Sequence, residues 1–340
     1  MIGGFHDALN MASGMTWRRM RNAGKILRSY HRSRRSGIPI IDGLPISVSI
    51  EPTTSCNLRC PECPSGLRSF TRPTGMLQPD LYRTAIDQLA PTLSYLTFYF
   101  QGEPYLHPSF TEMVEYAATR GIYTATSTNG HFLTEDMAVR TIASGLDRLI
   151  ISIDGTTQET YESYRIGGSL QKVVDGAKRV VETKRRMRSR TPHVVFQFLV
   201  TKPNEHQIED VRRLAREIGV DQVVFKTAQI YDYEHGSPLI PTKDRYSRYR
   251  RNEDGTWSIK NALDDHCWKM WHSCVITWDG KVVPCCFDKD AQYVMGDLSR
   301  ERFEDVWRSQ KYYAFRQTLL TSRKEIEMCR NCTEGSRVFA

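Results

Sequence analysis

Cys56, Cys60 and Cys63 place three thiols in one short loop, spaced C-x3-C-x2-C. That spacing is neither the paired C-x2-C of a zinc ribbon nor the four-cysteine run of a ferredoxin. Three thiolates on a cubane of four irons leave one iron without a protein ligand, and an open iron can bind a substrate. The competing reading is a zinc ion with an outside fourth ligand such as His107. His107 stands beside Pro108, however, where a capping or packing role suits it better. Six more cysteines (Cys267, Cys274, Cys285, Cys286, Cys329 and Cys332) lie near the other end, with none between the groups. Nine cysteines without a secretion signal argue for metal rather than for a disulfide framework. Two separated groups imply two metal sites in two structural units. Taken alone, the second group suits a four-cysteine zinc knuckle equally well.

Side chains of this kind need a scaffold. Between the cysteine groups, β-rich stretches at 46–51, 95–100, 123–127, 148–153, 193–200 and 222–226 alternate with helix-period stretches. The former are mostly continuous apolar runs, as in parallel strands buried on both faces. Phe110, Met113, Val114 and Ala117 keep helical spacing, and Ile208, Val211, Leu214 and Ile218 do so before Gly219. Such units build an open doubly wound sheet or a barrel. Six of them fit an α/β fold, a partial (β/α)6 TIM-like barrel over 45–230. Its reactive groups belong at the carboxyl ends of the strands, and the polar motifs fall there. Residues 1–44 read as a basic helical extension. Residues 231–265, rich in Tyr and charge and broken by Gly236, Pro238 and Pro241, read as a linker or substrate-facing loop. Residues 266–340 read as a small cysteine-rich α+β unit. It contains a hairpin signal, Val275–Trp278 turning at Asp279-Gly280 into Lys281–Val283, and a short helix near 302–310.

The triad is followed by Gly102-Glu103-Pro104, Thr128-Asn129-Gly130 and Ser152-Ile153-Asp154-Gly155 at the next three strand ends. In this the chain resembles the radical S-adenosylmethionine (SAM) enzymes. The resemblance implies a 4Fe-4S cluster on Cys56, Cys60 and Cys63 whose open iron is chelated by SAM. It also implies a 5′-deoxyadenosyl radical that abstracts hydrogen from an unactivated C–H bond, and a reducing partner such as flavodoxin or ferredoxin. Carried over by position, it makes Gly102 and Glu103 contacts to the methionyl ammonium. Asn129 and Ser152 become contacts to ribose or carboxylate, Asp154 a ribose contact, and Arg165 the fork that pairs the methionyl carboxylate. Read without the family, Asn129 and Asp154 are turn formers. Two departures stand out: Glu62 where the family usually has an aromatic residue near the adenine, and Gln101 where it has the first glycine of Gly-Gly-Glu-Pro.

The C-terminal cysteines resemble the family's SPASM/twitch-type auxiliary-cluster domain. Cys267, Gly280 and Cys285 meet its pattern, and Cys329 and Cys332 supply the second pair. This implies one auxiliary 4Fe-4S cluster on four thiolates, with Cys274 and Cys286 left over as buried apolar cysteines. No residue is singled out as a catalytic acid or base. Tyr99 and Lys226 are candidate substrate contacts.

The net charge of +8 is unevenly spread: residues 1–37 carry eight Lys/Arg against Asp7 alone, so the rest of the chain is nearly neutral. A neutral body argues against a nucleic-acid groove. The leader interleaves its cations with Trp17, Met20, Ile26, Leu27 and Tyr30. It reads as a helix packed on the body with its cationic side in water, or as a contact for a membrane surface or an acidic partner. No apolar run is long enough to span a bilayer, so a cytoplasmic enzyme is expected. The short tail favours oxidation or rearrangement of a small sugar- or cyclitol-like metabolite. The alternative is maturation of a ribosomally made peptide or protein by the same chemistry, and the distant alternative a zinc-structured binding protein with a basic arm.

Overall fold

The computed structural model describes residues 2–335. The last five residues of the expected C-terminal unit, 336–340, lie outside the described residues. The leader forms two helices, α1 (Ile2–Ser13) and α2 (Trp17–Ser36). Thr16 caps α2 by accepting from the Arg19 amide, and Gly37 ends it in the left-handed region. Alternating elements follow: β1 (Ser47–Ile50), α3 (Pro64–Leu67), α4 (Pro79–Leu89), β2 (Tyr95–Thr97), α5 (Phe110–Ala118), β3 (Tyr123–Thr128) and α6 (Glu135–Ala143). The series continues with β4 (Arg148–Ser152), α7 (Gln158–Glu162), α8 (Leu170–Arg186), β5 (His193–Val200), α9 (Ile208–Ile218) and β6 (Gln222–Thr227).

The six strands pair in parallel and in sequence order. Each covering helix buries the stripe its spacing sets. In α5, Phe110, Met113, Val114 and Ala117 are all core residues; in α9, Ile208, Val211 and Ile218 are, while Leu214 is half-buried. This is the expected α/β fold with a largely parallel, singly wound sheet.

The C-terminal unit continues that sheet. After β7 (Tyr249–Arg251), β8 (Trp257–Ile259) and α10 (Lys269–His272), strand β9 (Ser273–Ile276) pairs in parallel with β1, placing Ser273 opposite Ser47. The foreseen hairpin then adds β10 (Lys281–Val283) and β11 (Gly296–Asp297) antiparallel. One nine-stranded sheet results, so β1 and the triad loop that follows it lie between barrel and C-terminal unit. Helices α11 (Phe303–Trp307), α12 (Gln310–Ser322) and α13 (Glu327–Arg330) complete the chain.

Residues 231–265 are more than a linker. The β7–β8 hairpin closes a small core of Ala228, Ile230, Ile240 and Tyr249, with Tyr233 stacked on Tyr249 at 4.6 Å. The leader is packed as well. Ile26 and Tyr30 are fully buried, and buried Arg19 donates to the carbonyls of Gly14, Gly121, Ala90 and Arg120. No described helix is long and apolar enough to cross a membrane.

Candidate active site

The triad loop is shaped by glycines that let backbones touch. At Gly66, in α3, a Cβ would lie 2.5 Å from the Cys60 amide and carbonyl. Gly102 has φ +74°, and a Cβ there would stand 2.2 Å from the Thr53 carbonyl. Its amide donates to Ser65 Oγ at 2.8 Å, tying the end of β2 to the triad loop. Leu58, Cys60 and Tyr164 form a small buried cluster beneath the thiols.

Each thiol has a polar side-chain neighbour from a different segment, two of them strand ends and the third, Arg165, the turn after α7. Asn129 Nδ2 lies 3.9 Å from Cys56 Sγ, Arg165 Nη1 3.8 Å from Cys60 Sγ, and Gln101 Oε1 3.8 Å from Cys63 Sγ. Burial pushes the Cys56 thiol up to about 11 and raises Cys60 too, the latter opposed by Arg165. For Cys56 and Cys60 burial disfavours the thiolate, and a metal centre supplies the positive charge that offsets it. Three sulfurs, an amide, a guanidinium and close-packed glycines suit a three-cysteine cluster. Among the described residues, no three His, Cys, Asp or Glu side chains converge as a single-ion site.

Of the six residues implied as SAM contacts, Gly102, Glu103, Asn129, Ser152 and Arg165 line one cavity of about 230 Å³ together with the three cysteines. Glu103 is buried. Its Oε1 accepts from Thr128 Oγ1 at 2.7 Å and its Oε2 from the Asn129 amide at 2.7 Å. Burial raises its carboxyl to about 7 against those hydrogen bonds. Asp154 differs from the other five in not lining the cavity; like those of Glu103, both its oxygens are engaged within the protein. Oδ1 accepts from the Leu199 amide at 2.7 Å and Oδ2 from Arg165 Nε at 2.5 Å. Its carboxylate therefore holds Arg165 in place.

Three features escaped sequence reasoning. Lys289, from the C-terminal unit, lines the same cavity. Its Nζ donates to the Tyr231 hydroxyl at 3.1 Å, and the Tyr231 amide donates to Glu62 Oε2 at 2.9 Å. The departure at Glu62 was the available signal, since a half-buried carboxylate beside the triad calls for a donor. Arg72 makes two bonds to fully buried Glu51, at 2.5 and 2.8 Å, and the Trp278 amide donates to the same carboxylate, fixing the segment after the triad to the hairpin turn. Gln101 proves to be the Cys63 neighbour. His107 packs as expected: Nε2 bonds the Leu77 carbonyl at 2.8 Å, and Nδ1 accepts from the Ser109 amide. Tyr99 lines the triad cavity, whereas Lys226 lines another of about 850 Å³ beside the starts of β1 and β2, with Lys269 and Glu334.

The second cysteine group is assembled from distant segments. Cys267, Cys285, Cys329 and Cys332 are all buried. Fully buried Arg323 is held by the His266 and Glu334 carbonyls and has Cys267, Cys329 and Cys332 as electrostatic neighbours. Burial raises the Cys267, Cys329 and Cys332 thiols, Cys329 to about 12, and the hydrogen bond with Cys286 followed by burial raises Cys285. This donor set suits a four-thiolate cluster beside a fixed cation. Cys274 is buried as expected, but Cys286 is exposed rather than a buried apolar cysteine, next to Cys285 on the turn after β10.

Comparison with known proteins places these features. Residues 50–223 match the model of the radical SAM superfamily, and residues 267–333 that of an iron-sulfur cluster-binding domain. A cofactor-modifying protein of the tungsten-containing aldehyde ferredoxin oxidoreductase of Pyrococcus furiosus is 26% identical, covering 84% of this chain and 86% of its own. The PqqA peptide cyclase of Gluconobacter oxydans is also 26% identical, over 77% and 75%. Among solved structures, SuiB of Streptococcus suis bound to S-adenosylmethionine superposes with a TM-score of 0.65 at 13% identity, covering 91% of this chain and 76% of that one.

Proposed function

The chain belongs to the radical SAM superfamily, and on that premise we propose that it matures a ribosomally made peptide or protein by taking hydrogen from one of its C–H bonds. It is an enzyme that uses SAM and a 4Fe-4S cluster, and its C-terminal unit is an iron–sulfur cluster-binding domain. When bound, cluster and SAM supply a 5′-deoxyadenosyl radical that attacks unactivated C–H bonds.

In this reading Cys56, Cys60 and Cys63 hold the first cluster, and Cys267, Cys285, Cys329 and Cys332 the auxiliary one. Arg165, clamped through Nε by Asp154, turns its terminal guanidinium nitrogens to the methionyl carboxylate. Glu103 accepts the methionyl ammonium, while Asn129 and Ser152 orient the nucleoside end. Leu58 and Tyr164 keep water from the reacting centre, and Tyr231 and Lys289 bridge the cavity rim to the C-terminal unit. A carrier such as flavodoxin or ferredoxin provides the reducing electron.

The likeness to the peptide cyclase, spanning about three quarters of both chains, carries the substrate reading. It draws the substrate away from the sugar- or cyclitol-like metabolite expected first. The test is isotope transfer from side-chain-deuterated candidate peptides and from deuterated sugars and cyclitols into 5′-deoxyadenosine. Deuterium arriving from a peptide supports the proposal. Deuterium arriving only from a sugar or cyclitol restores the metabolite reading.

A further inference from the structure

Along α2, Arg18, Arg21, Lys25, Arg28, Arg32 and Arg35 recur every three or four residues and are all exposed. They form one cationic stripe of roughly 30 Å, the length of a twenty-residue helix. The helix contains no acidic residue. Arg32 pairs with exposed Asp42 at 3.4 Å; among the described residues, no carboxylate pairs with the other five. Beside the first half of the stripe, Arg18, Arg21 and Lys25 share a groove of about 250 Å³ with Arg308, Asp42 and Glu304.

The opposite face of α2 lies against the second cysteine group. The Tyr30 ring is 5.1 Å from Trp268, and its hydroxyl is 3.4 Å from His266 Nδ1. His266 and Trp268 are the chain neighbours of Cys267. Arg34 stands 5.8 Å over the Tyr30 ring. One helix and one layer of aromatic rings thus separate the cationic stripe from a thiol of the C-terminal group.

We propose that the solvent face of α2 docks an acidic one-electron carrier protein, which exchanges electrons with the C-terminal cluster past Tyr30 and Trp268. This rests on the reading of Cys267 as a cluster ligand. An electron left on the cluster when the substrate radical is oxidised passes to the oxidised carrier. The cluster loses one electron, the carrier gains one, and no atom is transferred. A membrane fits less well, because a membrane-bound helix turns a continuous apolar face to lipid, whereas α2 buries Ile26 and Tyr30 in the protein body and exposes only Trp17 and Met20, in its first turn, among its large apolar side chains. Opposite charge suits a carrier that must arrive quickly and leave.

Oxidised flavodoxin is the probe. Its binding is measured against salt, and stopped-flow absorbance follows its oxidation of the reduced C-terminal cluster in the Cys56→Ala/Cys60→Ala/Cys63→Ala chain. Adding Arg21→Glu, Arg28→Glu and Arg35→Glu is expected to slow association by about 10- to 100-fold and flatten its salt dependence. Adding Arg186→Glu, Arg213→Glu and Arg216→Glu on α8 and α9 is expected to change neither. Equal loss in both sets, or no loss in the first, overturns the proposal. So does salt-sensitive binding of phosphatidylglycerol vesicles through the stripe without binding of flavodoxin. A chain lacking any reducible cluster refutes the ligand reading instead, and the binding measurement still judges the docking surface.

Discussion

The two cysteine sites solve the same problem in opposite ways. The triad is local: three sulfurs in eight residues, each met by a polar side chain from another segment and facing a cavity. The C-terminal site is non-local. Its four buried thiols come from three segments brought together by β9 pairing with β1 and by the fixed guanidinium of Arg323. A local loop that keeps a cavity is suited to binding and releasing a cofactor. A buried site assembled from separate segments is suited to holding a charge in a fixed place. Chemistry should therefore fail first at the triad, and folding at the other site.

The largest effect that this contrast predicts is at Cys60. Cys60→Ala is expected to abolish formation of 5′-deoxyadenosine while roughly half the iron, that of the closed site, remains. Chromatography of the nucleoside products and iron analysis check this, and residual cleavage at the native rate would remove the triad from the cluster. At the second site, Arg323→Met is expected to cost about 3 kcal/mol of stability, since the carbonyls of His266 and Glu334 lose a buried donor and Cys267, Cys329 and Cys332 a neighbouring cation. Thermal unfolding should show the loss, while uncoupled SAM cleavage persists. A midpoint unchanged from the parent would make Arg323 incidental.

The difference in locality also explains what could be read in the sequence. Most of the six parallel strands were legible because strands buried on both faces are continuous apolar runs, and β5 matches the expected 193–200 at both ends. The triad and the motifs at Gly102, Asn129 and Ser152 were legible because each lies at or after the end of its own strand, whereas the approach of Gln101 to Cys63 was not. Pairing of β9 with β1 was not, since a four-residue strand carries no mark of its partner. Lys289 and Arg72 act through the tertiary closeness of segments far apart in the chain, which no spacing records. Asp154 stands just beyond β4, but its hydrogen bonds could not be foreseen, and they turn it towards Arg165 and the Leu199 amide rather than into the cavity.

That detail gives a sharper comparison inside the triad site. Asp154→Asn keeps a bond to the Leu199 amide but removes the charge that fixes Arg165. Affinity for SAM is expected to fall about tenfold, close to 1.4 kcal/mol, with the cluster retained. Isothermal titration on reconstituted protein measures it. A loss of iron instead would give Asp154 a role in cluster assembly.

The smallest effect is a pH dependence that the two sites should not share. Glu103 carries a carboxyl raised to about 7 by burial, so near neutrality it is half protonated in the free enzyme. Only the ionised form pairs with an ammonium, and binding that needs the ionised form weakens as pH falls through that value. Between pH 7.5 and 6.5 the ionised fraction drops about threefold, and SAM affinity should fall by the same factor. Glu103→Gln keeps the shape without the titration, so its weaker affinity should be flat over this range. The C-terminal cluster signal should be flat in both proteins, because Glu103 belongs to the triad cavity. A slope that survives in Glu103→Gln would assign the titration to another group, and a slope in the C-terminal signal would mean that the two sites are electrostatically joined.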